Sequence, residues 1–162
     1  TRCSRDWSSD VCSSDLASRD SQKEIYLYYI KNIKYINNWD LVDLSSPKIV
    51  GDYLLDKDRS ILNEMILSKN MWEQRIAILA TFTFIKNNEY EEIFYFSKLL
   101  INHPHDLIHK ALGWMLREVG KRDVSVLRDF LDKNYRDMPR TMLRYSIEKF
   151  DKEERLMYLN KF

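Results

Sequence analysis

Residues 71–86 read MWEQRIAILATFTFIK, and this stretch indicates the fold class of the chain. Its apolar side chains recur at the spacing of an α-helix, which predicts one long helix from Met71 to Lys86. The whole sequence of 162 residues contains only three glycines and three prolines. Because β-sandwiches and β-barrels need many turn residues, this composition predicts an all-α protein.

Further helices are predicted on both sides of this stretch. Asn37-Asn38 supplies a cap for a helix that starts near Trp39, and Pro47 should kink or divide that helix. The breaks between helices are short, so we expect neighbouring helices to be antiparallel. The other predicted segments are Gln22–Ile36, Arg59–Leu67, Tyr90–Ile101, Asp106–Lys121, Val124–Asn134, Arg140–Phe150 and a final turn capped by Asp151.

A weak repeat is visible in the tryptophans. Trp39, Trp72 and Trp114 lie 33 and 42 residues apart, each early or midway in a predicted helix. Helix pairs that recur every 35–45 residues or so are typical of HEAT-type solenoids. The pattern therefore predicts an α-solenoid of antiparallel helix pairs, with a compact helical bundle as the alternative.

The composition excludes several classes of protein. Hydrophobic residues make up 44% of the chain, so it is not a disordered protein. The cysteines are Cys3 and Cys12, so the body has no disulfide framework and no thiolate metal site. No apolar run approaches the ~20 residues that span a bilayer, and the N-terminus lacks the apolar region of a signal peptide. We therefore expect a cytoplasmic protein with no membrane contact.

The charge balance is less informative. The net charge is +1, and the last 60 residues carry 13 Lys/Arg against 10 Asp/Glu. This small excess permits a polyanionic partner, but an ordinary solvated surface explains it equally well.

Residues 1–20, TRCSRDWSSDVCSSDLASRD, differ from the remainder. Six of them are serine, SSD occurs twice, and no helical or strand period runs through them. The stretch resembles a translated sequencing adapter, so we expect a non-native or disordered tail, with a genuine flexible arm as the alternative. The domain would then span residues 21–162 and lack its N-terminal helices.

One pair of residues stands out as a candidate site. Trp39 and Asp43 are four residues apart on a predicted helix and therefore share a face. The alternative is a core tryptophan beside a solvated or capping aspartate.

Cationic side chains offer candidate contacts to a phosphate backbone. Arg117 and Lys121 follow Trp114 along one helix and form a ridge with it. Arg140 and Arg144 lie one turn apart near a helix start. For Arg117 the alternative is a surface arginine that covers a packed Trp114. The histidines, His103, His105 and His109, lack a further ligand on their helix, so we expect no metal site.

Four stretches, taken in order, resemble one known family. They are NNWDLVDLSSPKIVGDYL, MWEQRIAILATFTFIK, DLIHKALGWMLREVGKRD and MPRTMLRYSIEKF. Together they resemble the AlkD-like DNA alkylation repair family, and the similarity covers nearly all of residues 21–162. The strings W-D-x-V-D and G-W-x-L-R-E are its most specific parts. The resemblance implies an α-solenoid of HEAT-like repeats with a basic concave surface that holds DNA.

The resemblance also implies an activity. Members hydrolyse the N-glycosidic bond of N3- and N7-alkylated purines in duplex DNA. Asp43 matches the catalytic carboxylate, Trp39 and Trp114 match aromatic residues that flank the lesion, and Arg75 matches a DNA-contacting arginine. Arg117 is a further candidate for a backbone contact. No metal or cofactor is implied, and we expect a bacterial, nucleoid-associated monomer.

This chain differs from the family in its length. Its members are longer, and their first helices form part of the DNA cradle. Because the end of a solenoid needs a capping repeat, we expect an exposed apolar face beside the first helix and weak or no activity for this polypeptide. The alternative function is a non-catalytic HEAT-like module that binds DNA or serves as a protein scaffold.

Overall fold

The computed structural model describes residues 19–160. Every regular element among them is helical, which confirms the predicted all-α class. A 3-10 turn at Ile33–Tyr35 follows α1, and a π-helical segment at Ser46–Gly51 joins α2 to α3. The helices are α1 Arg19–Lys31, α2 Trp39–Ser45, α3 Asp52–Leu54, α4 Ser60–Ile66, α5 Met71–Lys86, α6 Glu91–Leu99, α7 Asp106–Arg122, α8 Val124–Asn134, α9 Arg140–Ser146 and α10 Lys152–Leu159.

The predicted helix bounds agree best with the structure where the sequence contains a capping residue. The helices α5 and α8 have the predicted bounds. The Asn38 side chain accepts a hydrogen bond from the Asp40 backbone N–H at 3.0 Å, so α2 begins at Trp39 as predicted. The Asp151 side chain accepts from the Glu154 backbone N–H at 2.8 Å and starts α10.

The first predicted helix is wrong at both ends. It begins at Arg19, inside the serine-rich segment, and ends at Lys31. The Asn32 side-chain amide donates to the Tyr28 carbonyl at 2.8 Å and competes there with the Asn32 backbone N–H, which lies 3.2 Å from the same oxygen. Residues 1–18 of the predicted tail lie outside the described residues.

The helix that contains Trp39 is divided near Pro47, as predicted, and the division takes the form of a π-helical segment. Two side chains bond back to the preceding turn: the Ser45 hydroxyl donates to the Leu41 carbonyl at 2.5 Å, and the Ser46 hydroxyl donates to the Val42 carbonyl at 2.6 Å. Such back-bonds compete with the regular helical pattern, and π-bulges occur frequently at functional sites.

Two glycines allow helices to approach closely. A Cβ at Gly51 would lie 2.6 Å from the Ala80 carbonyl oxygen, so the π segment packs directly on the backbone of α5. A Cβ at Gly113 would lie 2.6 Å from the Met142 carbonyl oxygen, so α7 packs directly on α9. Each glycine therefore sets the distance between a site-bearing helix and its neighbour.

The main packing contacts follow the chain, with each helix of the series packed on the next member. The π segment contacts α5, α5 contacts α7, α7 contacts α9, and α9 contacts α10. Contacts that join mainly near neighbours are the property of a solenoid, in which one continuous core is built by stacking. The fold is the all-helical repeat solenoid that the pattern predicts.

The first helix exposes apolar side chains. Ile25, Leu27 and Tyr28 of α1 are exposed, and Tyr26 and Tyr29 are buried against the core. Within residues 19–160, no helix is long and apolar enough to cross a bilayer.

Candidate functional site

An ion pair between α2 and α5 lies at the centre of the candidate site. The Arg75 Nε donates to Asp43 Oδ1 at 2.9 Å, and its Nη2 donates to Oδ2 at 2.8 Å. Two parallel charge-assisted hydrogen bonds fix both the position and the plane of the carboxylate. The side chains are 7% and 15% exposed for Arg75 and Asp43, so the carboxylate is the more accessible partner.

A third helix joins this pair. The Arg75 Nη1 donates to the Leu107 carbonyl in the first turn of α7 at 2.6 Å. The guanidinium therefore links α2, α5 and α7. This placement differs from the expected DNA contact, because all three guanidinium nitrogens donate within the protein and Arg75 is buried. We interpret Arg75 as a residue that positions Asp43.

Trp39 lies one turn before Asp43 on α2 and is 56% exposed. The alternative of a core tryptophan is therefore wrong at this position. The solvated or capping role for Asp43 is also wrong, because both of its oxygens accept from Arg75. The structure thus presents an exposed indole and a fixed carboxylate on adjacent turns of one helix.

Trp114 lies on α7, seven residues beyond Leu107 and so ~10 Å further along the helix axis. It is half-buried, and its indole N–H donates to Glu118 Oε1 at 3.2 Å. Gly113 beside it allows the close approach of α7 to α9. The convergence of Trp114 and Trp39 on one surface stays a prediction.

The two cations of the predicted ridge are engaged by carboxylates. Arg117 forms ion pairs with Glu148 and, at 3.7 Å, with Glu118. Lys121 Nζ lies 2.7 Å from Glu118 Oε1. Arg117 has 19% of its side chain exposed and Lys121 has 43%, so a phosphate that contacts either residue competes with a carboxylate partner.

A family model described as DNA alkylation repair enzyme matches residues 9–150. The chain belongs to this family. A search of curated proteins gives no match. The family description makes the chain a repair enzyme whose substrate class is DNA, and it agrees with the helical-repeat fold.

Two predicted DNA contacts of this DNA alkylation repair protein lie on α9. Arg140 and Arg144 are both exposed. The Arg144 guanidinium lies 5.8 Å from the centre of the Tyr145 ring. Since α9 packs on α7 at Gly113, these arginines belong to the helix next to the one that carries Trp114.

The structure of this DNA alkylation repair protein also contains partners that the sequence did not indicate. Glu118 and the Leu107 carbonyl received no role from the motifs. Glu118 had a local signal, since it follows Trp114 by four residues and precedes Lys121 by three. The Leu107 carbonyl had none. Among residues 19–160, no group of three or more His, Cys, Asp or Glu could hold a metal ion.

Proposed function

We propose that this protein is a DNA-alkylpurine N-glycosylase, which hydrolyses the N-glycosidic bond of N3- and N7-alkylated purines in duplex DNA. The observation that carries the proposal is the fixed carboxylate of Asp43, held by Arg75 one turn from the exposed indole of Trp39.

The chemistry of the substrate matches such a site. An N3- or N7-alkylated purine is cationic, so it leaves as a neutral base without protonation. A second carboxyl group that acts as a general acid is then unnecessary. The transition state carries positive charge at C1′ of the sugar. A fixed carboxylate stabilises that charge without reorganising during the reaction.

The partner of Asp43 orients the carboxylate and leaves it available. A carboxylate has about four lone-pair positions, and Arg75 uses two of them. The remaining positions can orient a water molecule or face the sugar. Because Arg75 is the more buried partner, the negative end of the pair is the accessible end.

Aromatic and cationic groups complete the proposed site. Indole faces attract a cationic nucleotide by roughly 0.5–2 kcal/mol each, and Trp39 is exposed enough to offer one. Trp114 is the proposed second aromatic contact. Four cations are proposed to contact phosphates and thereby to position the duplex, namely Arg140, Arg144, Arg117 and Lys121. Of these, Arg117 and Lys121 exchange a carboxylate partner for the phosphate.

The test is excision of a cationic base. Duplex DNA methylated at N7 of guanine is incubated with the protein and with Asp43→Asn, and released 7-methylguanine is measured by chromatography. We expect the substitution to lower the rate by about 10²–10³, the usual effect of removing one preorganised electrostatic group. The matched control is Asp40→Asn, the same change on the exposed side of α2.

The outcomes separate the candidate functions. Equal release by Asp43→Asn and the parent chain would remove Asp43 from the catalytic role. Binding of methylated duplex with no release by the parent chain, in a single-turnover assay with excess protein that detects weak activity, would contradict the glycosylase and support the non-catalytic DNA-binding module.

A further inference from the structure

Glu118 is the point on which three side chains of α7 converge, those of Trp114, Arg117 and Lys121. Its Oε1 accepts from the Trp114 indole N–H at 3.2 Å and from Lys121 Nζ at 2.7 Å. Arg117 Nη2 lies 3.7 Å from the same oxygen. The Glu118 side chain is only 14% exposed, so the carboxylate lies beneath the groups that it holds.

The spacing along α7 explains this convergence. Trp114 precedes Glu118 by four residues and Lys121 follows it by three, so all three lie on one face of the helix. An indole has one polar hydrogen, so the hydrogen bond to Glu118 fixes the edge of the ring that packing against the core leaves exposed. Replacement of that acceptor frees this edge of the ring.

We propose that Glu118 is a positioning residue that orients Trp114 and also holds Arg117 and Lys121 away from non-specific phosphate contacts. The inference rests on the proposed function, since it assigns Trp114 to the lesion and the cations to the DNA backbone. The carboxylate acts through its neighbours and does not contact the reacting atoms.

The second role follows from competition between anions. A DNA phosphate that approaches Lys121 or Arg117 competes with carboxylates that already neutralise part of their charge: Glu118 Oε1 lies 2.7 Å from Lys121 Nζ, and Arg117 is paired with Glu148 and, at 3.7 Å, with Glu118. This competition lowers the net gain from a phosphate contact. Glu118 therefore weakens binding to undamaged duplex while it prepares the aromatic group that recognises the lesion.

Two substitutions separate these roles. Glu118→Gln keeps an oxygen that can accept from the indole but removes the negative charge. Glu118→Ala removes both. The ring orientation is followed by NMR of the tryptophan indole N–H signals, with Trp114→Phe to assign the signal of Trp114. We expect a protected, slowly exchanging Trp114 indole proton in the parent chain and in Glu118→Gln, and rapid exchange in Glu118→Ala.

The charge role is tested with unmodified duplex DNA over a range of salt concentrations. Glu118→Gln should bind roughly two- to fivefold more tightly than the parent chain, the range expected when one partly exposed ion pair is released. Its dependence on salt should steepen by about one unit of slope for each added phosphate contact. Glu64→Gln is the matched control, because it makes the same charge change at an exposed position on α4.

Each outcome has a defined meaning. An indole proton that exchanges equally fast in all three chains would overturn the positioning role. Equal affinity and salt dependence for Glu118→Gln and Glu64→Gln would overturn the charge role. If the parent chain excised no cationic base, the proposed function would fail, yet the NMR result would still show whether Glu118 orients Trp114.

Discussion

The ion pair between Asp43 and Arg75 should stabilise the fold as well as the site. We consider Arg75→Met, which keeps the aliphatic length of the side chain and removes the guanidinium. The change takes two hydrogen bonds from Asp43 and one from the Leu107 carbonyl. Removal of one partner from a buried ion pair costs about 3–5 kcal/mol. Asp43 keeps partial access to water, so we expect a loss of about 2–4 kcal/mol.

A double-mutant cycle isolates the pairwise part of this loss. Arg75→Met, Asp43→Asn and the double variant are unfolded in urea, and the free energies of unfolding are compared. We expect a coupling free energy of about 1.5–3 kcal/mol, because two charge-assisted hydrogen bonds are lost together. The double variant should then be more stable than the sum of the two single losses predicts.

The chain contains a control with the same geometry at the surface. Arg128 donates to Glu154 from Nε at 2.6 Å and from Nη2 at 3.0 Å; its side chain is 45% exposed and that of Glu154 is 17% exposed, so this pair differs from Arg75 and Asp43 in the exposure of the arginine. The cycle of Arg128→Met and Glu154→Gln should show a smaller coupling, since water reaches and screens the Arg128 guanidinium. A coupling at Asp43 and Arg75 no larger than at Arg128 and Glu154 would refute the argument from burial.

Two further predictions concern stability. Gly113→Ala places a Cβ 2.6 Å from the Met142 carbonyl oxygen, so α7 and α9 must separate. The free energy of unfolding, measured in urea, should fall by about 1–3 kcal/mol. An unchanged urea midpoint would contradict the close approach of the two helices. Burial lowers the pKa of His109 from its ordinary value of 6.5, so the unfolded chain binds a proton at a higher pH than the folded chain. The stability of the fold should therefore decrease as pH drops from 7.5 to 5.5. His109→Gln should make the melting temperature less dependent on pH. An equally steep decrease of the melting temperature in the variant would show that other groups cause it.

Local signals account for the parts of the fold that the sequence predicted. The apolar spacing of residues 71–86 and the Asn38 cap depend only on near neighbours, and both agree with the structure. The end of α1 was wrong because the Asn32 side chain competes with the helical hydrogen bonds, and residues beyond it remain apolar enough to extend the pattern.

The candidate site divides in the same way. The placement of Trp39 and Asp43 on one face of a helix follows from their spacing of four residues, and the sequence alone determined it. The partner of Asp43 did not follow, because Arg75 lies 32 residues away on another helix. Such a pair depends on the distance and register between helices.

Tertiary packing decided which charged side chains pair with one another within the protein. Close contacts at Gly51 and Gly113 bring the site-bearing helices against their neighbours. At these distances Arg75 points inward to Asp43, and Arg117 reaches Glu148 in the turn that follows α9. A sequence shows that an arginine is present, but the same side chain can contact DNA or a carboxylate. The helix packing selects the partner, because ion pairs and hydrogen bonds form only within a few ångströms.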